Sequence, residues 1–397
     1  MHRPRRFLAA LSLLCMAVTA HAQFLDTFDG AKVTGWSAIT GDGAATLELE
    51  QSDGRLRLNI DATRDRYGVW WTCIKRDVTA SLNLKRLADP RYELRVEARV
   101  RDSHAPRRVN FMINTQRTTN YHQHLREFDI ADTQWHEISM TTRDFDAKPG
   151  DTVFVQLCAT DWGLDKYFVD IDSYRADVVR ADRAGPDKGE PLIYHPPVPA
   201  VAEFAQHLGV THDSVINLDF PEVNFDDWHI DTVNGSARVL TVDANQWIVL
   251  RWDFGAQRGA RATGAGVLEL TTASLAIGGK YIEALGQDFG EEFGKIHVIE
   301  ILGGDPDWDQ RTVSYQSLTR GAKYEDVFNP QMTIDLEPGA KPGDKAYFTL
   351  PRPVMQRLLD GTTKGILIRP LGALAASVYS SENPDGNGPV LHFSTAP

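Results

Sequence analysis

Two sets of short apolar-polar alternations, one on each side of a proline-rich break, constrain this chain more than any other feature. Between Phe24 and Val179 the alternation recurs at Leu56–Ile60, Gly68–Ile74, Tyr92–Val100, Val109–Thr115, Trp135–Thr141, Thr152–Cys158 and Tyr167–Val178. Side chains of an extended chain point to opposite faces in turn, so each run buries one face and leaves the other polar. Gly41-Asp42-Gly43, Asp53-Gly54 and Pro149-Gly150-Asp151 supply turns between the runs. Many half-buried strands with almost no helical period predict a sandwich. A second set follows at Val239–Val242, Trp247–Trp252, Val267–Thr271, Ile296–Leu302, Lys345–Leu350, Gly365–Arg369 and Val390–Phe393. Only Ala200–Leu208 and Pro353–Leu359 carry a helical pattern. The expected fold is all-β, with two β-sandwich, jelly-roll-like domains in tandem. Residues 182–199, DRAGPDKGEPLIYHPPVP, lack any period and read as a linker or as a strap across an interface.

Ahead of the first domain, Arg3, Arg5 and Arg6 precede an apolar run from Phe7 to Val18 and then Ala20-His21-Ala22, the small-x-small pattern of a signal peptide. The expected organisation is a signal peptide at 1–22, a carbohydrate-recognition jelly roll at 23–180, a linker at 181–212 and a second sandwich at 213–397. No later apolar stretch approaches the roughly 18 to 20 residues of a membrane helix. Membrane insertion is therefore not expected, and the destination is secreted or periplasmic. The formal net charge is -12, and the leader removes only arginines, so the mature chain is more acidic still. An acidic chain is a poor partner for nucleic acid. Beyond the leader stand Cys73 and Cys158, in an exported chain where a disulfide can persist. One bridge between them is expected, against the alternative of two buried thiols.

Phe28-Asp29-Gly30 near the start and Tyr167-Phe-Val-Asp-Ile-Asp near the end of the first domain resemble the bracketing strands of galactose-binding-like jelly-roll modules. That resemblance implies a structural calcium near the first and last strands, with Asp29 and Asp172, beside Asp26 and Asp170, as hard oxygen ligands. Solvated acids on edge strands are the other reading, and no cofactor is required. In the second domain, Trp308-Asp-Gln-Arg-Thr-Val-Ser-Tyr, Gly365-Ile-Leu-Ile-Arg-Pro, Ser377-Val-Tyr-Ser-Ser-Glu and Gly388-Pro-Val-Leu resemble β-sandwich modules named for a DNRLRE motif. Some of those modules bind alginate and accompany polysaccharide-degrading proteins. The letters of the naming motif are absent here.

The densest polar cluster follows the strand at Val109–Thr115. Asn114 and Gln116 share its polar parity, and Arg117, Asn120, Tyr121, His122, His124 and Arg126 come directly after. Planar amides and guanidinium groups suit hydroxyls and carboxylates, and a flat aromatic suits a pyranose face. Asn114, Gln116 and Arg126, with Tyr67, Trp70 and Trp162 as stacking aromatics, are expected to bind a polysaccharide, an acidic uronate polymer by the local concentration of arginine. Of the adjacent tryptophans, Trp70 is expected to face the ligand and Trp71 the core.

If the same surface is a polysaccharide lyase, Arg117 would neutralise the uronate carboxylate while Tyr121, His122 and His124 handle protons. A hydrolase would need paired carboxylates, for which Glu127, Asp129, Asp161 and Asp165 are available. No Gly-x-Ser-x-Gly elbow suggests an esterase. A structural or adhesive surface protein is the remaining class.

Overall fold

A computed structural model describes residues 23–40, 45–64, 70–121, 123–161, 166–192, 198–226, 232–233, 236–277, 295–336, 339–371 and 374–396. The expected signal peptide, Tyr67, His122, Trp162 and Asp165, and the side chains of Trp70, Trp71 and Asp161, lie outside the described part.

The first sandwich contains β1 (Phe24–Asp26), β2 (Trp36–Thr40), β3 (Thr46–Ser52), β4 (Arg55–Asp61), β5 (Trp70–Asp77), β6 (Tyr92–Asp102), β7 (Arg107–Thr115), β8 (Leu125–Ile130), β9 (His136–Thr141), β10 (Val153–Asp161), β11 (Lys166–Arg180) and β12 (Glu190–Leu192). One sheet runs β3-β4-β11-β6-β9, with β1 on β11, and the other runs β12-β8-β7-β10-β5-β2. Val109, Phe111 and Ile113 of β7 and Val153, Val155 and Leu157 of β10 meet Val96, Ala98 and Val100 of β6 in one core. That is the expected parity. The register β7-β10 places Asn114 opposite Phe154 and Met112 opposite Gln156, so the outward face of the second sheet is fixed by its inward face.

The second sandwich contains β13 (Gln206–Gly209), β14 (His212–Asn217), β15 (Thr232–Val233), β16 (Ser236–Ala237), β17 (Val239–Val242), β18 (Gln246–Arg251), β19 (Arg261–Ala262), β20 (Gly266–Ile277), β21 (Lys295–Ile301), β22 (Phe328–Leu336), β23 (Lys345–Leu350), β24 (Gly365–Leu371), β25 (Leu374–Tyr379), β26 (Val390–Phe393) and β27 (Thr395–Ala396). Its sheets are β13-β26-β20-β25-β17, with β23 on β20, and β14-β18-β24-β21-β22. A separate apolar cluster on Trp247, Ile299, Phe328 and Trp308 makes the Trp308 motif part of a core.

Two local expectations change. Ala200–Leu208 is not a helix: one 3-10 turn at Val201–Glu203 leads into β13, which pairs with β26. A nine-residue helix is costly to nucleate, whereas the edge of β26 satisfies the backbone at once. The proline-rich segment is a strap more than a linker. Asp187 accepts from the Thr141 amide and hydroxyl, both at 2.9 Å, and pairs with Arg95 and Arg126. Gly189 has φ +92°, and a Cβ there would stand 2.8 Å from Phe128, so only glycine lets the strap pass that close. β12 then pairs with β8 while Leu192 enters the second core.

The sandwiches meet over β7, β10 and β22. The helix Arg352–Asp360 buries Val354, Met355, Leu358 and Leu359, and ends at Gly361 in the left-handed region. Arg357, also on that helix, reaches Asp129 of the first sandwich at 2.9 Å and Glu300 of the second at 2.9 Å.

Cys73 and Cys158 face each other on β5 and β10 and are bridged, with Cα atoms 4.0 Å apart. The bridge closes a sequence separation of 85 residues. Cys73→Ser with Cys158→Ser should therefore cost about 2–4 kcal/mol. Denaturant titration of the double variant beside the oxidised protein reads the loss, and coincident curves would mean that the bridge constrains nothing.

Candidate functional site

β7 and β8 divide the predicted cluster instead of gathering it. Asn114 stays on the outward face, where its side-chain oxygen accepts from Gln156 Nε2 at 2.6 Å. Gln116 donates to Asp151 at 3.0 Å and accepts from the Thr152 amide at 2.8 Å. Arg117 clamps the same Asp151 at 2.7 Å and 2.9 Å and reaches Asp146 at 2.9 Å. Hydrogen bonds donated to Asp151 and then to Asp146 raise the guanidinium pKa, and Arg117 in turn holds Asp151 well below the usual carboxylate range. This arginine is committed to protein carboxylates.

His124 and Arg126 lie on the opposite parity. Arg126 sits across from the core residue Phe111 and pairs with Asp187. His124 is buried, its ring 5.0 Å from that of Phe145, and burial lowers its pKa against weaker pulls from Glu93 and Asp144. Tyr121 is 47% exposed. Leu125–Ile130 is a strand whose alternation sends its side chains to two faces, and this is what splits the cluster.

What the register does assemble lies on the outward face of β8-β7-β10-β5. At one end Arg108, Asn110, Glu127 and Asp129 are buried where the second sandwich covers them. Glu127 is 3.8 Å from Arg108, and Asp129 is taken by Arg357, so neither acid is free for hydrolysis. At the other end Met112, Phe154 and Lys75 are half-buried, next to the Asn114–Gln156 pair. The Lys75 ammonium rests 4.0 Å from the centre of the Phe154 ring. The sequence reading missed Phe154, Gln156 and Lys75. Phe154 and Gln156 alternate with the core residues Val153, Val155 and Leu157, so their outward parity was visible, but only the pairing with β7 puts them beside Asn114.

The acids expected as calcium ligands are engaged by protein donors. Asp26 accepts from Trp36 Nε1 at 2.8 Å, Asp29 from Thr27 at 2.5 Å, and Asp172 lies 3.3 Å from Arg99. Asp170 is surrounded by the guanidinium groups of Arg55, Arg57 and Arg101. Among the described residues no group of three or more His, Cys, Asp or Glu gathers to hold an ion.

No protein-family model and no curated protein matches the sequence. Solved structures do. The chain is similar to the xylan-binding CBM22-2 domain of Paenibacillus barcinonensis Xyn10C, with 14% identity over 40% of this chain and 100% of that one at a TM-score of 0.28. The CBM22-1-CBM22-2 tandem of the same protein is similar over 94% of this chain and 98% of its own, at 11% identity and a TM-score of 0.28. A family 11 carbohydrate-binding module of Clostridium thermocellum, in complex with a mixed-linked tetrasaccharide, is similar over 38% of this chain and 92% of that one, at 12% identity and a TM-score of 0.26. At such scores the likeness carries no conclusion about ligand, and the assignment of two sandwiches rests on the sheets described above. Neither the galactose-binding nor the DNRLRE resemblance gains a family from these matches.

Proposed function

We propose that this chain is an exported glycan-recognition protein that seats a polysaccharide on the open half of the β8-β7-β10-β5 face. The observation that carries the reading is the half-buried Phe154 ring, with Lys75 lying over it, beside the buried Asn114–Gln156 amide pair that fixes this part of the face. A pyranose can take the place of the lysine stem on the ring, and the released ammonium then meets its hydroxyls. Gln116, exposed, follows directly on β7 at this end of the face. The acidic composition favours a polysaccharide over nucleic acid as partner, and no helix among the described residues is long and apolar enough to cross a membrane.

Binding is favoured over elimination because Arg117 is held by two aspartates and His124 lies behind Phe145, which leaves no assembled proton-transfer set among the described residues. Phe154→Ala should weaken polysaccharide binding about tenfold by removing the stacking face, with the melting temperature as the control for folding. Affinity electrophoresis against neutral and acidic polysaccharides measures it. Retardation by none of them would return the adhesive reading, and absorbance appearing near 235 nm on a uronate polymer would replace binding with lyase chemistry.

A further inference from the structure

The outward face of the other sheet carries an arrangement that the site above does not use. In register, Arg57 of β4, Asp170 of β11 and Arg101 of β6 form one row across three strands. Asp170 is fully buried and accepts from Arg57 at 2.7 Å and 3.0 Å and from Arg101 at 3.0 Å and 2.8 Å. Arg55 Nε stands 3.7 Å from the same carboxylate. Three guanidinium groups thus crowd one carboxylate, and their side chains remain 27%, 23% and 33% exposed for Arg55, Arg57 and Arg101.

A simple charge ladder would give each arginine its own acid and use up its donors. Here Arg57 and Arg101 spend only Nε and Nη2 on Asp170, leaving each Nη1 uncommitted among the described residues. Arg55 makes no hydrogen bond there at all, although its Nε is buried. A buried donor without an acceptor costs stability, which an incoming oxyanion would recover. Aromatic rings fix the guanidinium planes: Phe168 lies 3.7 Å from Arg57, and Trp135 lies 5.0 Å from Arg99 and 4.9 Å from Arg101. Arg99 extends the row, 3.3 Å from Asp172 and across from Glu137 of β9. The opposing acids Glu50 and Asp53 stand at the β3-β4 edge of the patch, Asp53 80% exposed.

We propose that the outward face of β4, β11 and β6, centred on Arg55, Arg57, Arg99 and Arg101, is a second binding surface that takes the oxyanion-bearing units of an acidic polysaccharide. It rests on the glycan reading above and names the ligand class for it. Asp170 positions the guanidinium groups, their outward N–H donors meet carboxylate or sulfate, and Trp135 flanks the sugar ring. Arg117, by contrast, spends Nε, Nη1 and Nη2 on Asp151 and Asp146.

The test titrates the full chain with oligomers of polygalacturonate, of a sulfated galactan and of neutral xylan, for the parent, for Arg55→Ala with Arg99→Ala, and for Phe154→Ala. These two arginines are chosen because neither bonds Asp170 directly, so the Arg57–Asp170–Arg101 row stays intact. The expected result is an acidic-oligomer Kd raised about tenfold or more by the arginine pair, rising with salt in the parent, with xylan affinity unmoved. Uronate or sulfate as the better ligand distinguishes the two oxyanions. Acidic binding that responds to Phe154→Ala but not to the arginine pair overturns this proposal and leaves the first site standing. Binding of none of the three by the parent overturns both.

Discussion

Arg357→Met should destabilise the whole chain by about 3–5 kcal/mol, the cost of stranding buried carboxylates. The Arg357 side chain is 11% exposed, and its partners Asp129 and Glu300 are 2% and 1% exposed. Burial, working against the opposing pull of Arg357, raises the Asp129 pKa to about 6 even with the guanidinium in place. Removing the cation leaves Asp129 in the first sandwich and Glu300 in the second without their shared charge. Glu300 keeps hydrogen bonds from Thr363 at 2.6 Å and Asn329 at 3.1 Å, while Asp129 loses its bidentate partner. Adding Asp129→Asn and Glu300→Gln to Arg357→Met should recover much of the loss, because the penalty comes from unpaired charge and not from missing packing. Urea denaturation of the single and triple variants reads both effects. A single variant as stable as the parent would show that this junction contributes nothing.

The junction also shows what the sequence could and could not announce. Alternating parity is local, so strands such as Val109–Thr115 and Lys345–Leu350 and their core faces were readable from residues alone. Partnership across a sheet is not local. Arg117 looked available for a uronate, and only the fold reveals Asp146 and Asp151 beneath it. His124 and Arg126 looked like neighbours of Asn114, but the strand at Leu125–Ile130 carries them on the other parity. The arginines of β4 and β6 lie far apart in sequence and become one surface only through β11. Asp187, in the segment read as a linker, gathers Arg95, Arg126 and Thr141, a role that proline and glycine content could not signal.

Asp102→Asn should stabilise the protein in alkaline solution and do little in acid. Asp102 ends β6 on the same parity as Val96, Ala98 and Val100, so it points into the first core, where it is 1% exposed. Neither carboxylate oxygen has a hydrogen-bond partner among the described residues. Desolvation pushes its pKa to about 8, with Arg107 pulling downward and Asp170 adding to the rise. An unfolded aspartate titrates near 3.9. Between those values the folded state keeps a proton that the unfolded state has released, so stability falls as pH rises, by about 1.4 kcal/mol per unit. Across the whole interval the loss from this one group is at most about 6 kcal/mol. Below about pH 4 both states are protonated and the contribution is flat. Asp129 and Asp213, raised to about 6 and about 7 chiefly by burial, slope the same way, so the informative quantity is the difference between variant and parent. That difference should grow steadily from about pH 5 to pH 8 and then level off, as the single titrating proton is removed from the cycle. Denaturation midpoints across that range measure it, and parallel curves for the two proteins would mean that Asp102 is charged in the folded state, held by Arg107 after all.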